Sequence, residues 1–292
     1  MKDFKIIKEL EEKIKKKIIF SVSNNNVDSI DLSRCNLTTI PESIYNLRKL
    51  KHLVLDINNI STVPEKIGDL KLLEYLSLNY NNISILPESI GNLGKLSNLC
   101  LYDNCLIRLP ESIRKLNSLE FLQIPKNKLK ELPNSITNLK SIKRLYLDEN
   151  KLERIPRSIG KLASLTYLDL SANKLTSLPE SIGNLKSLEF LNLNANKLDF
   201  LPESFGSLFS LKELGLGINN FVYLPESIKN LSNLESIVIL NNKLKNLPDF
   251  IVNKTSRKKY LPSLKEVSVS NMALPLELIS KLRRRKYTFR FF

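Results

Sequence analysis

Residues Leu165–Ser187 read LTYLDLSANKLTSLPESIGNLKS, and close copies of this stretch recur along almost the whole chain. Units begin at Val27, Leu50, Leu73, Leu96, Leu119, Ile142, Leu165, Leu188, Leu211 and Leu234, each 23 residues after the last. An eleventh, degenerate unit begins at Leu264, so the tenth runs to 30 residues and holds an insertion of seven. Within the quoted unit, Leu165, Leu168 and Leu170 open on a strand-like alternation. A strand this short buries too little apolar surface to offset its chain entropy. Stacked on copies of itself it becomes one rung of a parallel sheet, with neighbours ~4.8 Å apart. The leucines then fuse into one elongated core, and stability passes from repeat to repeat.

The ninth position is the most specific mark: Asn58, Asn81, Asn104, Asn127, Asn150, Asn173, Asn196, Asn219 and Asn242. Where the chain turns out of a strand, asparagine can satisfy backbone groups that lose their sheet partners. These residues therefore read as a buried ladder, not as ligand contacts. Cys35 and Met272 take the place in the first and last units, as expected of half-covered ends. Leu-Pro-Glu-Ser-Ile follows, as at Leu178–Ile182. Proline suits a first helical turn and glutamate suits its positive end. Gly68, Gly91, Gly160, Gly183 and Gly206 share one position in this return, which predicts a short helical or 3-10 segment behind the sheet.

These positions resemble the leucine-rich repeat signature over roughly residues 27–282. The L-P-x-x-I-x-x-L return is similar to the 23-residue subtype of bacterial leucine-rich repeat proteins and Ras-pathway scaffolds. The resemblance implies an α/β, right-handed solenoid, a horseshoe with a concave parallel β-sheet and short helical or 3-10 segments on the convex side. It also implies a scaffold that binds a protein or peptide through the concave face. A fold so widely shared names no partner. The expected layout is an amphipathic helical cap over 1–26, ten repeats over 27–263 with the insertion near 253–263, and a degenerate repeat with a basic-aromatic cap over 264–292. Phe4, Ile7, Leu10, Ile14 and Ile18 form the helical stripe of the first cap.

The 292 residues carry a net charge of +15, but unevenly. Residues 1–26 hold +3, residues 250–292 hold +9, and the long body between them only +3. A basic surface running the length of the scaffold, as for nucleic acid, is not supported. There is no run of eighteen apolar residues for a membrane span. The N-terminal stretch mixes charges into its apolar positions, unlike a secretory signal. Cys35, Cys100 and Cys105 lack pairing spacing and favour a reducing compartment. Cytosol is the default, with export as an effector the alternative.

The third, fifth, seventh and eighth positions of each unit should face outward from the sheet. They bring Tyr75, Tyr80, Tyr102, Phe121, Tyr146 and Tyr167 beside Asp103, Asp148, Glu149 and Asp169. Aromatic rings beside acids suit protein recognition, the rings supplying buried area and the carboxylates selecting basic partners. The alternative is that the rings pack on one another and the acids only keep the face soluble. A second region, a notch, is expected where Gly215 and Gly217 strip one rung of side chains between Phe190, Ile218, Val238 and Leu240.

Catalysis has little to work with. His52, the one histidine, lies two rungs or ~10 Å from Cys100, beyond the reach of a nucleophile–base pair. Asp148 and Glu149 read as adjacent exposed carboxylates with nothing to separate their pKa values. No metal site or cofactor is expected. The rival to the concave face is the C-terminal RRRKYTFRFF, in which Arg283, Arg284, Arg285 and Lys286 precede alternating aromatics. That run suits an anionic polymer, nucleic acid or membrane surface. Its alternation equally suits a strand closing the last rung.

Overall fold

The computed structural model describes residues 2–252, 256, 259–269 and 288–291, so Arg283–Lys286 and Met272 lie outside the described residues. The chain divides into two compact units, Met1–Arg144 and Leu145–Phe292. In the first, helix α1 (Lys2–Ile14) precedes strands β1 (Ile19–Ser23), β2 (Asn26–Asp31), β3 (His52–Val54), β4 (Tyr75–Ser77), β5 (Asn98–Cys100) and β6 (Phe121–Gln123). Strand β7 (Arg144–Tyr146) falls at the division. The second unit holds β8 (Tyr167–Asp169), β9 (Phe190–Asn192), β10 (Glu213–Gly215), β11 (Ser236–Val238), the short α2 (Asp249–Val252), β12 (Glu266–Val269) and β13 (Thr288–Phe291). Within each unit sheet order follows chain order. From β2 onward, neighbouring strands within each unit run parallel in an unshifted register, as in Tyr75↔Asn98 and Phe190↔Glu213.

The repeat leucines are sealed: Leu165, Leu170, Leu188, Leu191 and Leu193 have no solvent exposure. Behind the strands the chain returns through 3-10 helices such as Glu88–Asn92 and Glu180–Asn184, each entered from a proline. The repeating glutamate has a second task. Glu65 and Glu88 accept the N–H of Ser89 and Ser112, both at 3.0 Å, so each acid caps the return of the next rung. The glycines of the returns all have negative φ. They are required by proximity instead: a Cβ at Gly183 would stand 2.2 Å from the carbonyl oxygen of Ser204.

The asparagine ladder takes the form its chemistry predicts. Asn173, 8% exposed, donates Nδ2 to the carbonyls of Leu147, Leu170 and Ser171 at 3.0–3.1 Å. Its Oδ1 accepts the N–H of Leu152 at 2.9 Å. One carboxamide thus ties two rungs and closes the turn. Asn81 does the same in the first unit.

At the N-terminus the structure departs from a helix running through Ile18. The helix ends at Ile14, Lys15 turns left-handed (φ 54), and Glu11 caps the break by accepting Ile18 N–H at 3.1 Å. The chain then forms an antiparallel hairpin, β1 against β2, through Asn24 and Asn25, both at positive φ. Successive left-handed residues make the turn that matches strand twist, and asparagine tolerates them. Ile6, Ile7, Leu10 and Ile18 are buried, while Phe4 stays 46% exposed. At the other end β13 pairs in parallel with β12.

Candidate recognition surface

The expected ring-and-acid residues fall in both units. In the first, Tyr80 and Tyr102 meet edge to face with centroids 5.1 Å apart, and His52 lies 6.3 Å from Tyr75. Lys126 Nζ pairs with Asp103 at 2.6 Å while standing 5.9 Å from the Tyr102 ring centre. Asp103 is therefore already matched to an internal cation. Tyr75 and Phe121 are half-buried on the same sheet face. Cys100 is buried 4.0 Å from the Tyr75 hydroxyl, and burial pushes its thiol up to about 11, leaving it protonated and unreactive.

In the second unit the rings form a column. Tyr146 and Tyr167 have centroids 4.6 Å apart, and Tyr167 stacks on Phe190 at 4.1 Å with the planes 2° from parallel. All three are half-buried. They occupy the face opposite the leucine core, so the stack follows from strand alternation and a spacing near ~4.8 Å.

Four carboxylates surround this column, and the structure separates them by role. Asp169 is 9% exposed. It accepts Ser171 N–H at 2.9 Å, the Ser171 hydroxyl at 2.6 Å and Asn192 Nδ2 at 3.1 Å. Its carboxylate is spent inside the sheet face rather than offered to a partner. Asp148 is half-buried, and burial together with the charge of Asp169 pushes its pKa up to about 6. Glu149 stays exposed. The expectation that nothing separates Asp148 from Glu149 is thus corrected, because the perturbing carboxylate comes from the next rung and not from the sequence neighbour. Burial also raises Tyr167 to about 12, with the charges of Asp169, Asp148 and Glu213 adding to the shift.

A second polar ladder, missed from the sequence, runs along this face. At the seventh position the backbone N–H finds a side-chain oxygen: Asn192 Oδ1 takes Asn194 N–H at 3.1 Å, and Asn194 Oδ1 takes Gly217 N–H at 2.6 Å. In the first unit Asp56 serves Asn79 and Asn79 serves Tyr102, both at 2.8 Å. Pro125 has the same place and no N–H to satisfy. Asp148 turns its carboxylate onto its own N–H. The signal was available as the run of Asp, Asn and Ser at alternate positions.

At Gly215 a hollow of about 100 Å³ opens, bordered by Phe190, Asn192, Asn194, Glu213 and Val238 among others. The carboxamides of Asn192 and Asn194 lean over the glycine, within 2.7 Å of where a Cβ would stand. One wall is therefore polar, not apolar. Ile218 and Leu240 do not line the hollow. Ile218 is 55% exposed and held at φ 55. Every eighth-position residue from Arg34 to Asn241 shares this left-handed turn, which is costly for a β-branched side chain. Among the described residues no group of His, Cys, Asp and Glu could hold a metal ion, and no helix is long and apolar enough to cross a membrane.

Rungs of fixed length, closed by a buried asparagine and carrying an open sheet face, define a repeat-built solenoid. A family profile for leucine-rich repeat regions matches residues 28–107, 99–170 and 156–253, and the chain belongs to the leucine-rich repeat family. A leucine-rich repeat protein of Leptospira interrogans is 26% identical, with 94% of this chain and 93% of that one covered and a TM-score of 0.55. The plant peptide hormone receptor RGFR1, solved in complex with RGF2, is 28% identical with a TM-score of 0.66, over 84% of this chain and 44% of that one. The functional domain of InlJ from Listeria monocytogenes, which includes a cysteine ladder, shares the fold at 22% identity and TM-score 0.69, over 84% of this chain and 49% of that one. The chain thus spans less than half the length of the InlJ and plant receptor chains. No curated protein matches it.

Proposed function

We propose that this protein is a non-enzymatic recognition module, an adaptor, scaffold or effector that binds a protein or peptide on the open face of its sheet. The observation that carries the reading is the column Tyr146–Tyr167–Phe190: three half-exposed rings on the face away from the leucine core. Rings of this kind supply most of the energy of protein interfaces. The structural likeness to RGFR1 in complex with RGF2 supports a peptide ligand. Three free thiols suit a reducing compartment, and we place the protein in the cytoplasm on that basis.

The test is selection of peptides from a random library on the immobilised full chain at high salt. Competition follows with two variants: Tyr146→Ser with Tyr167→Ser, and a second with Arg283, Arg284, Arg285 and Lys286 replaced by serine. The reading predicts peptides that lose the face variant and keep the tail variant. Binding that follows the tail variant and collapses with ionic strength would make the basic cluster the functional element, through contacts to an anionic polymer or membrane.

A further inference from the structure

The chain has 45 lysines and arginines against 30 acids, and its outer edges pair them readily. The second-position glutamates Glu189 and Glu235 each meet a lysine of the next rung, Lys212 at 2.8 Å and Lys265 at 2.6 Å. The open sheet face of the second unit is different. From Tyr146 to Ser268 its outward positions hold Asp148, Glu149, Asp169, Glu213 and Glu266, and no lysine, arginine or histidine. Among the described residues Asp148, Glu149, Asp169 and Glu213 have no cation within ion-pair distance. Beyond Arg144, a strongly basic protein thus keeps the outward positions through Ser268 free of positive charge, where the ring column ends in a hollow.

Resting on the peptide-recognition reading above, we infer that the hollow at Gly215 is a pocket for one arginine side chain of the ligand. Phe190 borders the hollow and offers a ring for a flat cation to lie against, as an attractive cation–π and stacking contact. Glu213, on the same rim, supplies the counter-charge. Asn192 Oδ1 adds an acceptor for a group with five N–H donors and no acceptor, while Asn194 turns its Oδ1 away to Gly217 N–H. The volume of about 100 Å³ is small, and a Cβ at Gly215 would stand 2.6–2.7 Å from the Asn194 and Asn192 carboxamides and displace them from the wall. An aromatic anchor would fit the ring but leave the polar wall and Glu213 without partners. A lysine would meet the charge but lacks the planar fork.

The chain has eight glycines, so selective ¹⁵N-glycine labelling of the full protein gives a short set of amide signals that includes Gly215 and Gly217. Titration with N-acetyl-arginine amide is expected to move those two signals saturably and leave Gly68, Gly91 and Gly183 in place. N-acetyl-lysine amide should act only at several-fold higher concentration, and the neutral N-acetyl-citrulline amide least of all. Glu213→Gln, on an exposed side chain, should weaken the arginine response by about fivefold, the loss of one charge-assisted contact. Gly215→Ala should abolish it. Unmoved Gly215 and Gly217 signals, or responses to arginine and citrulline of equal strength, would overturn the assignment. Because the broader reading is judged on selected peptides and the tyrosine variants, peptides that bind the face without arginine would sink this inference alone.

Discussion

Replacing Asp148 by asparagine should stabilise the protein at neutral pH and leave it unchanged in acid. The folded state holds the Asp148 carboxyl at about 6, against an ordinary value of 3.8, chiefly because it is half-buried and secondly because Asp169 is near. Its folded pKa is raised, so between these values the native chain binds more protons than the unfolded one. Stability therefore falls as pH rises from about 4 to about 6, and is level above that window. At ~1.4 kcal/mol per pH unit the full difference is ~3 kcal/mol; solvent screening at a partly exposed group reduces it to about 1–2 kcal/mol. The substituted carboxamide would keep an oxygen for the backbone N–H that Asp148 now serves. Urea denaturation followed by circular dichroism, at about pH 3.5 and about pH 7.5, reads the effect on either side of that window. The expected result is a gain of about 1–2 kcal/mol at the higher pH and none at the lower, with the exposed Glu149→Gln flat at both. A variant less stable than the parent at the higher pH would show that the Asp148 charge does not destabilise the fold.

Three further outcomes follow from other parts of the fold. Ile218→Asn places a residue that tolerates the left-handed turn at φ 55 and should raise stability by about 1 kcal/mol, read as a higher Tm. Asn173→Leu removes four hydrogen bonds from a buried turn and should cost about 3 kcal/mol or more in the same assay. Gly183→Ala drives a methyl to 2.2 Å from a carbonyl oxygen, whereas a Cβ at Gly94 meets nothing within 4 Å. The first should destabilise by about 1–3 kcal/mol, and Gly94→Ala should be neutral or slightly stabilising.

The period of 23 residues was enough to read the rungs, the buried ladder and the 3-10 returns, because each depends on contacts between identical positions of adjacent units. Features that depend on unlike neighbours were harder to read. Asp148 is perturbed by Asp169, which is 21 positions away in sequence and one rung away in space, so adjacency to Glu149 misled. Asp169 looked like a partner contact because its place in a column says nothing of the three donors that surround it. The polar wall of the Gly215 hollow comes from Asn192 and Asn194 of the rung before, side chains that lean along the sheet instead of standing off it. The shared glycines mark the returns in the sequence, but their cause, the closeness of the next return, is a contact between rungs that one unit does not show. Asn24-Asn25-Asn26 carried a hairpin signal that the helical stripe through Ile18 obscured.

The most direct test of recognition through the open sheet face is the affinity of a selected peptide for the parent chain and for Tyr146→Ser with Tyr167→Ser, measured by isothermal titration beside the Tm of both. A loss of at least about thirtyfold is expected, the worth of one buried aromatic anchor, with little change in Tm. Unchanged affinity, or a Tm that falls while the folded fraction binds as before, would show that these rings serve the fold and not a ligand.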